Sequence, residues 1–289
     1  MFNLRKLLKA LLSIAIIATS VIVMFLNIKE MVEADMMPNL VIDPSKSAKL
    51  KIATSNPSDW SSGLMGYWSF DGTAIQGLYA TTTDLSSNGN NGTITGAVGS
   101  AGAIGQALRF DGIDDYVQMA NSTSLNPSNI TLEVWFNVTS GTLAAQKALI
   151  QKAYTSHNPP YYQYTLLLVD TAAWPKTASF RIAVGGALYS LTATGTAYGY
   201  GSWHHFVSTY DGETMYSYLD GAQIASTTSP SGNINSYSTV IQLAAYPNLA
   251  HNSTYSFSGL LDEVRIYNRA LTTAEIQEHY TLSKRLLKF

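Results

Sequence analysis

Cleaving a glycosidic bond with retention takes two carboxylates close together on one face, one acting as nucleophile and the other as acid and base. On a β-strand alternate residues share a face, so such a pair on one strand stands an even number of residues apart. The 289-residue chain contains one Glu-x-Asp, Glu33–Asp35, outside any alternating run and followed by Pro38. Glu133, midway along the most regular alternating stretch, has no carboxylate at 131, 135 or 137. The sequence therefore predicts no catalytic pair on one strand. Hydrolysis is left to carboxylates far apart in the chain, with Glu133 and Glu263 as the residues to test.

His204 and His205 invite a metal or base reading. Neighbours on a strand point to opposite faces, so the two are unable to chelate one ion together, and packing with satisfied imidazoles is expected instead. His157, His251 and His279 stand isolated in the sequence. Asp262 poses a sharper question. By strand parity it sides with Leu260, Val264 and Ile266, which should face a core, and an ionised carboxylate there is costly unless a cation or N–H donors meet it. Calcium wants several oxygens, and the Asp84–Gly92 loop of Asn, Ser and Gly supplies many, while Asp71 ends the first strand. Turn amides, as in Asx-turns, would satisfy the same Asp side chains. Asp111, Asp114 and Asp115 lack the spacing of an EF-hand.

Flat rings on one sheet face suit stacking on sugar C–H surfaces. Trp135 lies opposite the apolar stripe of its strand, and Tyr216 and Tyr218 share a face opposite Met215, Ser217 and Leu219, so these three are the candidate ligand-binding residues. Inner-sheet packing is the competing use of Trp135. Tyr161, Tyr162 and Tyr164 follow the Asn158-Pro-Pro turn, and Tyr198 and Tyr200 sit beside Gly199 and Gly201, in loops where exposed aromatics contact partners.

The elements that must position these residues are strands. Ile130–Val138 alternates without a break, with Ile130, Leu132, Val134, Phe136 and Val138 on one face and Thr131, Glu133, Trp135 and Asn137 on the other. Asp-Gly pairs at 71–72, 111–112, 211–212 and 220–221 are hairpin cues. They set off Trp203–Tyr210, Glu213–Leu219 and Ala222–Thr227 as consecutive antiparallel strands, with Leu260–Tyr267 as a later one. A capping box, Thr272-Thr-Ala-Glu275, opens one short helix over Thr272–Tyr280.

Charge and composition narrow the function classes. Charged residues make up 12% of the chain, and there is no cysteine, which excludes disulfides, iron–sulfur clusters and Cys-ligated zinc. Residues 63–281 carry a net charge of −7, and no basic cluster there could displace counterions from phosphates, so nucleic-acid binding is set aside. Arg5, Lys6 and Lys9 precede the uncharged apolar stretch Ala10–Leu26. Residues 1–34 therefore read as a signal peptide cut after Val32-Glu33-Ala34, or as a retained membrane anchor. Residues 35–62, with three Pro, read as a linker or stalk, and 282–289 as a basic tail that is expected to be disordered. Asn91, Asn121, Asn129, Asn137 and Asn252 open Asn-x-Ser/Thr acceptors, most of them accidental in so Ser- and Thr-rich a chain.

Six motifs follow one another in order: Gly66-Tyr-Trp-Ser-Phe-Asp-Gly72, the Asp84–Gly92 loop, Leu108-Arg-Phe-Asp-Gly-Ile-Asp-Asp-Tyr-Val117, Thr131-Leu-Glu-Val-Trp-Phe136, Trp203-His-His-Phe-Val207 and Leu260-Leu-Asp-Glu-Val-Arg-Ile-Tyr-Asn-Arg-Ala-Leu271. This succession resembles laminin-G-like, concanavalin A-like jelly-roll domains over residues 63–281. The resemblance implies an all-β, two-sheet antiparallel jelly-roll sandwich, here preceded by an N-terminal hydrophobic helix and followed by one short C-terminal helix. It also implies a structural Ca2+ for Asp71, Asp84 and Asp262, and a non-catalytic recognition or adhesion module rather than an enzyme. The expected partner is a glycan or a surface protein, and the expected location is extracellular or at the cell surface. A pilin-like or surface-layer subunit, self-assembling through its membrane-anchoring residues 10–26, is the alternative.

Overall fold

The computed structural model describes residues 60–72, 80–139, 146–153, 159–169, 176–196, 198–246 and 255–286, all within one compact unit, Trp60–Phe289. The apolar segment 10–26 and nearly all of the linker expected at 35–62 lie outside them. Among the described residues no helix is long and apolar enough to cross a membrane.

The chain runs through β1 (Leu64–Trp68), β2 (Ala80–Thr82), β3 (Gly92–Thr95), β4 (Val98–Ala101), β5 (Gln106–Asp111) and β6 (Tyr116–Met119). A 3-10 turn at Thr123–Leu125 leads to β7 (Ile130–Val138), β8 (Gln146–Ala153), β9 (Tyr162–Val169), β10 (Thr177–Val184) and β11 (Ala187–Ala193). Then come β12 (His204–Tyr210), β13 (Met215–Leu219), β14 (Ala222–Thr227), β15 (Ile241–Leu243), β16 (Ser258–Tyr267) and the helix α1 (Thr273–Leu286). All the pairings between these strands are antiparallel. Sheet A has the order β14-β13-β12-β7-β16-β5-β4, with β1 beside β16, and sheet B has the order β11-β10-β9-β8-β15-β6-β3-β2. The expected two-sheet jelly-roll sandwich is the fold observed.

The alternation of β7 decides how the sheets meet. Ile130, Leu132, Val134, Phe136 and Val138 enter a core shared with Leu166, Leu168, Phe180 and Ile182 of sheet B. The Asp220-Gly221 turn joins β13 to β14 with both residues in left-handed geometry, φ 52° and 76°, which is the turn whose twist suits a two-residue hairpin. In α1 the capping box forms as expected. Glu275 N–H donates to Thr272 Oγ1, and the Thr272 N–H donates to Glu275 Oε2.

Two expectations need correction. The helix does not stop at Tyr280 but continues to Leu286, taking in Ser283, Lys284 and Arg285 of the segment expected to be a disordered tail. Ser283 continues the buried stripe begun by Ile276 and His279, and the two cations sit in the last turn, where they complement the helix dipole. The second correction concerns β16. Its register against β7 moves from Asp262↔Trp135 to Arg265↔Glu133, three residues opposite two, with Glu263 at φ 52°. This β-bulge inverts the parity read from the sequence upstream of Glu263 and leaves it unchanged downstream. Leu261, Val264 and Ile266 face the core, while Asp262 lies on the outer side with Trp135.

Candidate functional site

The outer face of sheet A carries most of the residues singled out from the sequence, and α1 covers it. Ile276 and Leu271 pack with Val207, Tyr218 and Tyr267, and Tyr216 lies against the same cluster. The Trp135 ring, 1% exposed, is stacked by Tyr280 of α1 at 5.9 Å between centroids. Tyr218 is buried too, its hydroxyl 3.0 Å from Thr273 Oγ1. Trp135, Tyr216 and Tyr218 do share the outer face, as expected, but that face is the seat of a helix. Their rings are used in packing and do not form an open platform.

Beneath α1 lies a buried polar network that the sequence did not disclose. Glu133, fully buried, holds His205 Nε2 and Arg265 Nη1 on Oε1 at 2.9 and 3.2 Å, and His279 Nδ1 on Oε2 at 2.9 Å. Arg265 also pairs with Glu263, to which the Tyr67 hydroxyl donates, and its guanidinium lies 4.2 Å over the Tyr67 ring. Burial alone would raise the Glu133 pKa, but His279, Arg265 and His205 together hold it well below the ordinary carboxylate range. The two carboxylates named as hydrolytic candidates, Glu133 and Glu263, are thus paired to cations under a helix. His204 and His205 do part to opposite faces. His204 takes Asp220 Oδ2 on Nδ1 at 2.8 Å and the Gly199 N–H on Nε2. His279, which stands alone in the sequence, is one of Glu133's partners, and His157 and His251 lie outside the described residues.

The structure divides the three aspartates expected to bind calcium. Asp84 accepts from Tyr67 N–H and Ser86 N–H on Oδ1, and from Ser86 Oγ–H and Asn90 N–H on Oδ2. With each lone-pair direction used, its carboxylate organises the 84–90 turn and has none left for a cation, so the Asx-turn reading holds for it. Asp71 and Asp262 do come together around the 102–106 turn. Asp71 Oδ1 accepts the Gln106 N–H and Asp262 Oδ2 the Ile104 N–H, while Asp262 Oδ1 accepts the Glu263 N–H. Burial first, and then the charges of Glu263 and Asp71, push the Asp262 pKa up to about 8. Two mutually repelling carboxylates beside a turn, one of them wholly buried, suit a divalent cation well. Asp111, Asp114 and Asp115 also bring carboxylate oxygens within 4.8 Å of one another, on a turn where Asp111 and Asp115 accept the turn's own amides.

The outer face of sheet B is different. One row of cross-strand neighbours runs Ser190–Arg181–Thr165–Gln151–Gln242–Gln118–Thr93–Thr81, polar on all eight strands. Its centre, Thr165, Gln151 and Gln242, is buried, and its ends are exposed. Over this floor lies a narrow, shallow cleft lined by Gln146, Ala148, Gln151, Tyr162, Leu167, Tyr246 and Tyr255. Its rim is a chain of rings, with Tyr161–Tyr162 at 6.3 Å, Tyr162–Tyr246 at 5.7 Å and Tyr246–Tyr255 at 5.8 Å. Tyr161 and Tyr255 are exposed. Arg181 donates from Nη1 to Gln146 Oε1 at 3.0 Å and lies 5.8 Å over the Tyr162 ring. Gln151 is fully buried, yet its Nε2 has no partner, a group that costs free energy unless something in the cleft meets it.

Of the tyrosines expected to meet partners, Tyr161 and Tyr162 belong to this rim and Tyr200 is exposed beside Lys176, whereas Tyr164 and Tyr198 are buried. Gln151, Arg181, Tyr246 and Tyr255 carried no distinguishing signal. An isolated Gln or Arg within a strand reads as an ordinary polar position until the register aligns it with others.

A family model described as the concanavalin A-like lectin/glucanases superfamily matches residues 111–277. No curated protein matches the chain. Among solved structures, one similar fold is domain 4 of AbnA, a GH43 extracellular arabinanase from Geobacillus stearothermophilus, in complex with arabinotriose. It has 19% identity and a TM-score of 0.56 over 75% of this chain and 98% of that one. The binding domain of Paraclostridial Mosquitocidal Protein 1 (18% identity, TM-score 0.57) and that of botulinum neurotoxin serotype G (12%, 0.58) align with 75% and 76% of this chain. The chain spans about half the length of these two toxin domains, 52% and 51%. At such identities the likeness is one of fold.

Replacing Glu133 by Gln removes the buried anion shared by Arg265 and two imidazoles and turns one of its acceptor oxygens into an NH2 donor, leaving Arg265 with Glu263 alone. Glu133→Gln is expected to cost about 3–5 kcal/mol in urea unfolding near neutral pH. The sign with pH follows from the lowered pKa: this stabilisation is present above the ordinary value of 4.5 and is lost as pH falls below it. The gap between wild type and Glu133→Gln should therefore narrow in acid. A constant gap from pH 7 to pH 3 would contradict the assignment.

Proposed function

The chain belongs to the concanavalin A-like lectin/glucanases superfamily, and from that footing we propose that it is a non-catalytic recognition module that binds a glycan in the cleft on the outer face of sheet B. The observation that carries this reading is Gln151, wholly buried, with an unpartnered amide nitrogen in a cleft rimmed by tyrosine rings. Sugars present C–H faces to aromatic rings and hydroxyls to amides, and a floor of Gln and Thr under a Tyr rim offers both. Similar folds include a domain solved with arabinotriose and the binding domains of two toxins, which favours binding over turnover. Glu133 and Glu263, committed to Arg265 and the histidines, are poorly placed to attack a polysaccharide.

Two further parts of the proposal concern its setting. A calcium ion bound by Asp71 and Asp262 would neutralise their repulsion and pin the 102–106 turn to β16; the ion's role is structural, apart from the cleft. Export through the apolar segment Ala10–Leu26 would deliver the module to the cell surface or beyond.

Binding of the full chain to a glycan and polysaccharide array tests the first claim. Saturable binding is expected, falling roughly three- to tenfold in Tyr255→Ala and in Gln151→Ala, as the loss of one ring stack or one hydrogen bond implies, and unchanged in Tyr200→Ala. A blank array from folded protein would overturn it. Calcium in hundredfold excess over its Kd should raise the Tm by about 5 °C or more, chelator should reverse the shift, and Asp262→Asn should show none. No shift in the wild type would remove calcium from the account. Mass spectrometry of the chain from its native host should find Asp35 at the N-terminus, or the intact chain in the membrane fraction. An intact chain in the cytosol would refute export.

A further inference from the structure

The strands of sheet B contain no Asp and no Glu. Residues 63–281 otherwise hold 14 acidic residues to seven basic ones, so the acidic groups of a negatively charged chain are kept off this sheet. On its outer face, within reach of the cleft, stands the guanidinium of Arg181. No carboxylate among the described residues pairs with it. Its partners are the Gln146 side-chain oxygen Oε1, at 3.0 Å from Nη1, and the Tyr162 side chain. Its Nε is buried and has no partner. Five buried polar side-chain atoms of sheet B lack a partner. Gln151 Nε2, Gln163 Nε2 and Arg181 Nε are donors, Gln242 Oε1 is an acceptor, and Thr177 Oγ1 is either.

A neutral sugar hydroxyl gives as readily as it takes, so a site shaped for neutral sugars alone needs donors and acceptors in balance. At the cleft the unpartnered atoms are Gln151 Nε2, in its lining, and Arg181 Nε, beside the lining residues Gln146 and Tyr162; both are donors, and the second belongs to a half-buried permanent cation. Guanidinium groups in that position are met by planar anions, whose charge-assisted hydrogen bonds are about twice as strong as neutral ones. Resting on the reading of this cleft as a glycan site, we propose that its ligand is an anionic glycan, whose acidic group is taken by Arg181 with help from the Gln151 amide while its sugar faces lie against Tyr162, Tyr246 and Tyr255. The chain's overall negative charge adds no attraction of its own, so selectivity for the anion must come from this local arrangement.

The test compares matched pairs of probes on the full chain by calorimetry at low and high salt. For the carboxylate, the pairs are oligogalacturonate, hyaluronan oligosaccharides and alginate oligosaccharides, each against its methyl-ester form; for the sulfate ester, dextran sulfate against dextran. At least one acidic probe is expected to bind, its neutral counterpart tenfold or more weaker, with affinity falling as salt rises. Arg181→Gln should abolish the preference for acid over neutral. Arg181→Lys, which keeps the charge but not the planar fork, should retain part of it, and Tyr255→Ala should weaken both members of a pair alike. Circular dichroism and Tm establish that each variant is folded. Neutral probes that bind as tightly as the acids, still sensitive to Tyr255→Ala, would overturn the anionic class while leaving the cleft a glycan site. Acid binding indifferent to Arg181, Gln151 and Tyr255 would overturn the location, and binding of neither kind would overturn both.

Discussion

A carboxylate sealed from water is tolerated only if it is paired, and the pairing of Glu133 organises half of this molecule. Its two oxygens gather a histidine from β12, an arginine from β16 and a histidine from α1. Four elements, β7, β12, β16 and α1, thus meet at one anion. Each partner is expensive to bury alone and acceptable only in the presence of the others, so the network acts as a single all-or-none contact between the helix and sheet A. The aromatic rings around it, Trp135, Tyr280 and Trp60, exclude water and strengthen those same interactions. Directional hydrogen bonds of this kind constrain a helix's rotation and register more than apolar contacts of similar size would.

This contact has a consequence for function. A sandwich has two outer faces, and the helix closes one of them, so the rings on the outer face of sheet A are spent on packing. The other face has no helix among the described residues and is instead lined, strand after strand, with Gln, Thr, Ser and Arg. Polar side chains at the centre of a sheet cost stability when their hydrogen bonds are incomplete, and Gln151, Gln242 and Arg181 are all incomplete. A core of this size, continuous from Trp68 to Ile266 across both sheets, can carry that cost.

The sequence disclosed whatever depends on local period and turn chemistry. Ile130–Val138 is a strand to the residue, the Asp220-Gly221 hairpin forms where two alternating runs meet, and Thr272 and Glu275 cap each other. Alternation also put Trp135, Tyr216 and Tyr218 on the correct face, but a period of two says nothing about what lies over that face. The cover is a helix whose own sequence shows a capping box and a histidine with no apparent partner. Likewise, His279 has meaning only once α1 lies across β7. The polar row on sheet B was illegible for a different reason. Its members are drawn from β2, β3, β6, β8, β9, β10, β11 and β15, one each, and only the strand register brings them into line.

The bulge in β16 shows how far one residue can carry. Parity counted from Leu260 puts Asp262 among core residues, where an ion or its absence would decide the fold. Glu263, in left-handed geometry at φ 52°, adds one residue to the strand, and the count changes on either side of it. Upstream, Asp262 turns outward beside Trp135 and meets Asp71 across the 102–106 turn. Downstream, Arg265 also turns outward, two positions along β7 at Glu133. Without the extra residue, parity could not turn both outward while also sending Leu261, Val264 and Ile266 into the core. The bulge therefore joins the paired aspartates to the buried network under α1, and its strained φ is maintained because the ion pair of Glu263 with Arg265 and the Tyr67 hydroxyl hold the side chain in place.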